Sequence, residues 1–279
     1  MDIGEACSRL RILLDEAVRG EKAEGVLLSG GLDTSIIALI ASRHVKDLKA
    51  FTVTLEGCDE DLKYAKKMAK FLNIDHKVHY FSEQQLVEAA SEAVSILAKS
   101  EYASDIPPHI KEGVIEGYTE AVGPTTLAPL YIAMRFAGSY VDSVYVGDGA
   151  DELFLGYNSI VSFIDFIGAN SDEPFGASFI ADFEQELSSR VFQAYDLRYP
   201  YMLAKSLDLE VKAPYLTLEV SEFARKLPAE HKVRSEGGRA WGKWILRKAF
   251  EEYLPKKIVW REKTTIDRGT GSITPLILR

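Results

Sequence analysis

An α/β fold, with an open parallel sheet in the first half and a mostly helical second half, is predicted by three observations. Short apolar runs alternate with amphipathic stretches along the first half of the chain. Two of those runs end in glycine-rich turns, at 29–31 and 147–149, as a strand does when it hands over to a helix in a parallel unit. Beyond about residue 150 the apolar runs fade while helical spacing persists. The 279 residues, 47% hydrophobic and 27% charged, are enough for one large core or two modest ones. They read as a single domain in three parts: an N-terminal helix at 1–24, a sheet core at 25–157 and a helical part at 158–279.

Leu10, Leu13, Leu14 and Val18 stand at helical spacing and predict a helix over 6–18. The break at 21–25 leads into a strand at 26–28, the turn Ser29-Gly30-Gly31, and a helix carrying Ile36, Ile37, Leu39 and Ile40. A β-type run at 50–55 precedes a charged amphipathic helix at 59–72, whose three opening acids suit a helix N-terminus. A strand at 76–81 and a helix at 82–99, with Ser82 as N-cap, complete the alternation. Pro107-Pro108 and the glycines of 100–123 mark a loop. A helix at 126–138 and a strand at 141–146 follow, the strand running into Gly147-Asp148-Gly149. Helical patterns then cover 179–192, 196–207, 218–226 and 239–253, and the stretch 261–271 is polar and rich in Gly and Thr. There is no internal repeat.

Net charge −9, from 33 Lys+Arg against 42 Asp+Glu, argues against a surface built to neutralise long nucleic acids. Two cysteines, Cys7 and Cys58, are too few for a disulfide framework and fit free thiols in a reducing compartment. The N-terminus has neither the basic nor the apolar region of a secretory signal. The apolar stretch 36–41 falls far short of the ~20 residues a bilayer span needs. A soluble, cytoplasmic protein with no membrane partner is expected.

Ser29-Gly30-Gly31-Leu32-Asp33-Thr34-Ser35 sits at a strand-to-helix handover. Glycines there permit positive φ and close backbone approach, and the free N–H groups of the following helix favour a phosphate. Ser29, Thr34 and Ser35 add hydroxyl donors, whereas Asp33 would repel a bare phosphate and so implies a shared cation, most naturally Mg²⁺. The turn lacks the lysine of the G-x-x-x-x-G-K-[ST] loop and the third glycine of the dinucleotide fingerprint. A tight, serine-capped turn with no ligand is the competing account. The second turn, 146–157, carries Asp148, Asp151 and Glu152 after a neighbouring strand; in a parallel sheet these face the same crevice as Asp33. A cation would offset converging carboxylates, and a solvated acidic turn is the alternative.

The first motif resembles the pyrophosphate loop of the PP-loop ATP pyrophosphatases, which adenylate a substrate and release PPi. The second, Gly147-Asp148-Gly149-Ala150-Asp151-Glu152-Leu153-Phe154-Leu155-Gly156-Tyr157, is similar to the G-E-G-A-D-E-x-F-x-G-Y signature of their asparagine synthetase and β-lactam synthetase branch. The resemblance covers about 25–271 and implies an adenine nucleotide alpha hydrolase-like, Rossmann-like sheet with ATP and Mg²⁺ as cofactors. It implies Mg²⁺ on Asp33 and Asp151, adenosine against Leu28, Val53, Val146 and Gly147, and Asp148 orienting or deprotonating the attacking amine. Segments 242–247 and 260–263 resemble the branch's C-terminal pattern, in which Lys263 would reach the α-phosphate; Lys243 is a candidate for PPi. A solvated surface charge is the ordinary alternative for either lysine. The stretch 261–271 resembles the branch's closing loop, with Arg268 a candidate for a substrate carboxylate.

The chain departs from the branch at Asp148 (Glu there), Lys212 (Arg), Tyr215 (Phe), Thr217 (Asp) and Thr264-Thr265 (Glu-Gln). A lysine keeps the charge of Arg but loses the bidentate fork. Only 28 residues precede Ser29, so no glutaminase domain is expected within this sequence. Free ammonia, a separate glutaminase partner or an amine within the substrate remain as nitrogen sources. The expected activity is an ATP-dependent, AMP-forming carbon–nitrogen ligase acting on small carboxylate and amine substrates, aspartate or a relative among them, with homo-oligomers open. The alternatives are a tRNA-modifying member of the superfamily and a nucleotide-binding regulatory module.

Overall fold

A computed structural model describes residues 1–99, 124–158, 161–162 and 195–273. In chain order its elements are α1 (Ile3–Gly20), β1 (Gly25–Leu27), α2 (Leu32–His44), β2 (Lys49–Leu55), α3 (Leu62–Leu72), β3 (Asp75–Phe81), α4 (Glu83–Ala98) and α5 (Pro124–Gly138). There follow β4 (Ser143–Tyr145), α6 (Ala150–Phe154), α7 (Tyr195–Lys205), β5 (Glu210–Lys212), α8 (Leu218–Lys226), β6 (Arg234–Glu236), β7 (Arg239–Trp241) and α9 (Trp244–Phe250). The loop expected at 100–123 and the helix expected at 179–192 lie outside the described residues.

The chain divides into two compact units, each assembled from separate segments. The sheet unit takes Lys22–Val146, Tyr195–Lys212 and Thr264–Arg279. Its five strands lie in the order β3-β2-β1-β4-β5, and every pairing is parallel. The sequence direction reverses on either side of β1, which makes the carboxyl ends of β1 and β4 the switch point at which open α/β sheets bind ligands. Along β2 the two-residue period sends Phe51 and Val53 into a core with Leu86 of α4, Leu127 and Tyr131 of α5, and Tyr199 and Leu203 of α7. Ser82 and Gln85 form a capping box that starts α4 where Ser82 predicts it.

The helical unit takes Met1–Glu21, Gly147–Ala194 and Ala213–Lys263. Asp2 caps α1 by accepting from Gly4 N at 2.8 Å and Glu5 N at 3.0 Å. The predicted stripe Leu10, Leu13, Leu14 and Val18 is buried, and α1 packs against α8 and α9. Among the described residues no helix is long and apolar enough to cross a membrane.

Three expectations are corrected. The helix expected at 59–72 begins only at Leu62, because Asp61 is buried with its N–H donating to Gly269 O at 3.1 Å. Strands do occur beyond residue 150. Glu210–Lys212 adds an edge strand with one apolar residue, Val211, too short to show a period. The helix expected at 239–253 is instead a strand and a shorter helix: Gly237 and Gly238, both at positive φ, turn β6 back on β7. Lys243, at φ 55°, then delays α9 to Trp244.

Candidate functional site

The first group of predicted residues lies in the sheet unit, at the carboxyl end of β1. Leu28 N donates to Phe51 O at 2.8 Å, and the Thr52 hydroxyl donates to Leu28 O, so the strand is held to its last residue. Thr52 Oγ1 also lies 2.8 Å from His76 Nε2 on β3. Gly30 then turns the chain at φ 73°, and a Cβ there would run into the backbone of Tyr64 and Ala65 at the start of α3. Glycine is required on both counts.

Hydroxyls organise the remainder. Ser29 and Thr34 hydroxyls lie 3.1 Å apart, Ser29 N donates to Thr34 Oγ1 at 3.3 Å, and Gly31 N donates to Ser29 Oγ at 3.2 Å. Gly31 caps α2, a 13-residue helix, without a side-chain hydrogen bond, and the positive end of such a helix favours an anion. Asp33 is half-buried in that first turn. Ser35 is fully buried, and its hydroxyl has no hydrogen-bond partner among the described residues. An inward-facing donor beside a helix N-terminus is suited to an anion. Val53, predicted to line adenosine, is 4% exposed within the core of the sheet unit.

The second group lies in the helical unit. Gly149, at φ 91°, leads into α6, and a Cβ there would collide with Leu216. Asp148 is half-buried beside it. One turn on, Asp151 Oδ1 lies 2.7 Å from Lys243 Nζ and 2.7 Å from Lys263 Nζ. Three residues scattered over more than a hundred positions thus meet at one oxygen. Lys243 is 4% exposed. Burial alone would raise the Asp151 pKa, but the two ammoniums override it and hold the carboxyl well below the usual range. Burial pushes Glu152 up, the charge of Asp151 adds to this, and the hydrogen bond donated by Tyr157 Oη works against it. The Tyr157 ring also carries Lys263 Nζ 4.6 Å above its centre.

Gly156 permits this approach, since a Cβ on it would strike Lys243 Cε and Asp151 Oδ1. The backbone supports both lysines: Lys243 N donates to Phe154 O at 2.9 Å, and Asn158 Nδ2 to Lys263 O at 3.3 Å. Lys243 is buried and Asp151 and Lys263 are partly buried, so two ammoniums share one carboxylate with little solvent around them, and Glu152 stands beside the pair. Among the described residues no group of three or more His, Cys, Asp and Glu side chains is placed to hold a metal by itself.

The departures fall around these groups. Lys212 pairs with Glu210 at 3.1 Å on β5. Tyr215 is fully buried, edge-on to Phe154 at 6.3 Å. In the sheet unit, Arg268 is exposed and Thr265 Oγ1 is buried with no partner among the described residues. The end of the stretch 261–271 is tied down, with Leu55 N donating to Thr270 O at 2.8 Å. Sequence reasoning assigned no role to Arg247 or Gly156. Arg247 stands beside Lys248 in a helix whose other residues, Trp244, Ile245, Leu246, Ala249 and Phe250, are apolar, and of the two charges it is Arg247 that the fold buries.

The family model described as "Asparagine synthase" matches residues 9–165 and 181–275. The chain is 30% identical over 268 residues to asparagine synthetase [glutamine-hydrolyzing] 1 of Arabidopsis thaliana, covering 88% of this chain and 39% of that protein. It is 28% identical over 280 residues to asparagine synthetase [glutamine-hydrolyzing] of Cricetulus griseus, covering 95% and 44%. The chain thus spans about two fifths of the length of the curated relatives it matches. Among solved structures it is similar to an NMN synthetase from Francisella tularensis, at 16% identity and a TM-score of 0.35, covering 81% of this chain and 97% of that one. At that distance it assigns no residues.

Proposed function

This chain belongs to the asparagine synthase family, and from that premise we propose that it is an ATP-dependent, AMP-forming ligase joining a carboxylate to an amine. A carboxylate oxygen of the substrate attacks the α-phosphorus of ATP; the bond from that phosphorus to the bridging oxygen breaks and PPi departs. An amine then attacks the acyl carbon, loses a proton, and AMP leaves. The observation that carries the reading is the buried meeting of Lys243 and Lys263 on Asp151, at 2.7 Å each. Such fixed cations stabilise charge that develops on transferring phosphoryl oxygens.

The roles follow from the chemistry of each residue. Ser29, Gly30, Gly31, Thr34 and Ser35 bind the pyrophosphate through backbone N–H groups and hydroxyls, at an α2 N-terminus that lacks a side-chain cap. Leu28, Val53 and Gly147 bound the adenosine. Lys263 faces the α-phosphate and Lys243 the departing PPi. Asp148 orients the amine and receives its proton. Asp33 and Asp151 are the carboxylates that would ligate Mg²⁺, which would neutralise phosphate charge. Small carboxylates and amines are the substrate class, aspartate among them. The nitrogen comes from ammonia, an amine of the substrate or a separate glutaminase, and the place of action is the cytoplasm.

The test is ATP–PPi exchange across a panel of amino-acid carboxylates. Exchange that depends on one carboxylate and is lost in Asp33→Ala and Lys263→Ala is the expected result. Exchange indifferent to both substitutions, or nucleotide binding without PPi release from any carboxylate, would overturn the reading and favour a regulatory module.

A further inference from the structure

Lys243 and Lys263 sit on long flexible stems whose rotamer freedom is lost when the ammonium is held in one place. For two of them to share one oxygen, the backbone from which each starts must be fixed. Neither start is regular secondary structure: Lys243 is at φ 55°, and Lys263 follows the helical turn Lys256–Val259. One side chain reaches both segments. Arg247, 6% exposed, donates through Nε to Gly242 O at 3.0 Å, one residue before Lys243. Its Nη1 donates to Arg261 O at 3.2 Å and to Val259 O, two and four residues before Lys263.

The guanidinium is itself fixed by aromatic faces. Its carbon lies 4.9 Å from the Trp241 ring centre and 5.8 Å from that of Trp260. Trp260 meets Trp241 at 5.3 Å and Trp244 at 5.6 Å, so all three tryptophans of the chain gather here. A planar fork that satisfies several carbonyls in different directions is a property of arginine that lysine does not share.

We propose that Arg247 is the positioning residue that couples Lys243 to Lys263, so that the two ammoniums are placed or displaced together. The proposal rests on the reading of those lysines as phosphate-facing cations, but its first test does not require turnover. Arg247→Gln and Arg247→Lys are compared with wild type, as full chains, by the rate at which each lysine is acetylated and identified by peptide mass spectrometry. In wild type the paired Lys243 and Lys263 are expected to react slowly and the exposed Lys66 and Lys67 fast. In both variants Lys243 and Lys263 are expected to speed up together, by roughly tenfold for the loss of a charged hydrogen-bond set. Lys66 and Lys67 should not change, and the tryptophan emission should shift.

A folded Arg247→Gln whose Lys243 and Lys263 keep their wild-type rates, or in which only one changes, overturns the coupling. If the glutamine variant does not fold, Arg247→Lys decides by the same readout, because it keeps the buried charge and loses only the fork. In ATP–PPi exchange the coupled lysines predict a fall in kcat of about tenfold or more with KM for ATP within about twofold. A wild-type kcat in Arg247→Lys refutes the positioning role and leaves the ligase reading standing. Absence of exchange in wild type removes the ligase reading, while the labelling still reports the coupling.

Discussion

The turn at 29–35 and the lysine–aspartate centre at 151, 243 and 263, the two places proposed to take anions, are built by opposite means. The turn is made of backbone: a glycine at φ 73°, hydroxyls that bond one another, and the end of a helix, all within seven consecutive residues. The centre is made of side chains brought from three distant segments to one oxygen. A backbone site is rigid once its strand and helix form, and it tolerates few substitutions. A side-chain site depends on its counter-charge and on whatever holds each stem.

The largest expected effect comes from removing the counter-charge. Asp151→Asn removes the carboxylate that buried Lys243 and partly buried Lys263 share and should lower unfolding free energy by about 3–5 kcal/mol, read by denaturant titration. Adding Lys243→Met to it should recover part of the loss, because only one cation then remains. A double variant no more stable than the single one would mean that the pair is not energetically coupled. Next is Gly30→Ala, which meets both positive φ and the backbone of α3 and should cost about 1–3 kcal/mol with loss of nucleotide binding. Gly156→Ala sharpens the contrast. Its added methyl meets the side chains of Lys243 and Asp151 rather than backbone. The stability loss should be under about 1 kcal/mol, while exchange activity falls by an order of magnitude. Equal stability losses in the two variants would erase the distinction between the sites.

The same difference explains what the sequence made legible. The turn is local, so its strand, glycines and hydroxyls can be read from one heptapeptide, and the strands β1, β2 and β3 sit within a residue of where the apolar runs place them. The helical unit is non-local. Lys243 and Lys263 were singled out by a family pattern, but nothing near either in sequence indicates that both reach Asp151. Arg247, whose guanidinium bonds to both of their segments, reads in the sequence as one of two adjacent charges, with Lys248, on a short helix. β5, β6 and β7 have three residues each and are defined by the partner strand rather than by their own period. The expected helix at 239–253 failed for that reason: Arg239, Ala240 and Trp241 are sound helix formers claimed by a hairpin.

Ser35→Ala tests the turn more gently. The hydroxyl is buried with no partner among the described residues, so its removal should leave stability unchanged or slightly raised. If the hydroxyl is kept for a phosphate, calorimetry should show PPi or ATP binding weakened by roughly tenfold, about 1.4 kcal/mol. Unchanged affinity would assign the serine to packing alone.

The smallest effect concerns how the turn is supported from the sheet. His76 Nε2 lies 2.8 Å from the Thr52 hydroxyl, which in turn donates to Leu28 O at the start of the turn. That hydroxyl proton is already committed to the carbonyl, so the oxygen can only accept from an Nε2–H. Burial, and then the charge of Lys66, depress the His76 pKa below its ordinary 6.5. The unfolded chain therefore takes up the proton first as pH falls. The stability contributed by neutral His76 is fully present above about pH 6.5 and declines through that value towards the lower folded-state pKa. His76→Gln, which offers an amide N–H to the same oxygen and does not titrate, should flatten that part of the stability–pH curve by a fraction of a kcal/mol. An unchanged slope between pH 7 and 5 would place the acid sensitivity elsewhere, with His79 on the same strand, also depressed by burial, as the next group to replace.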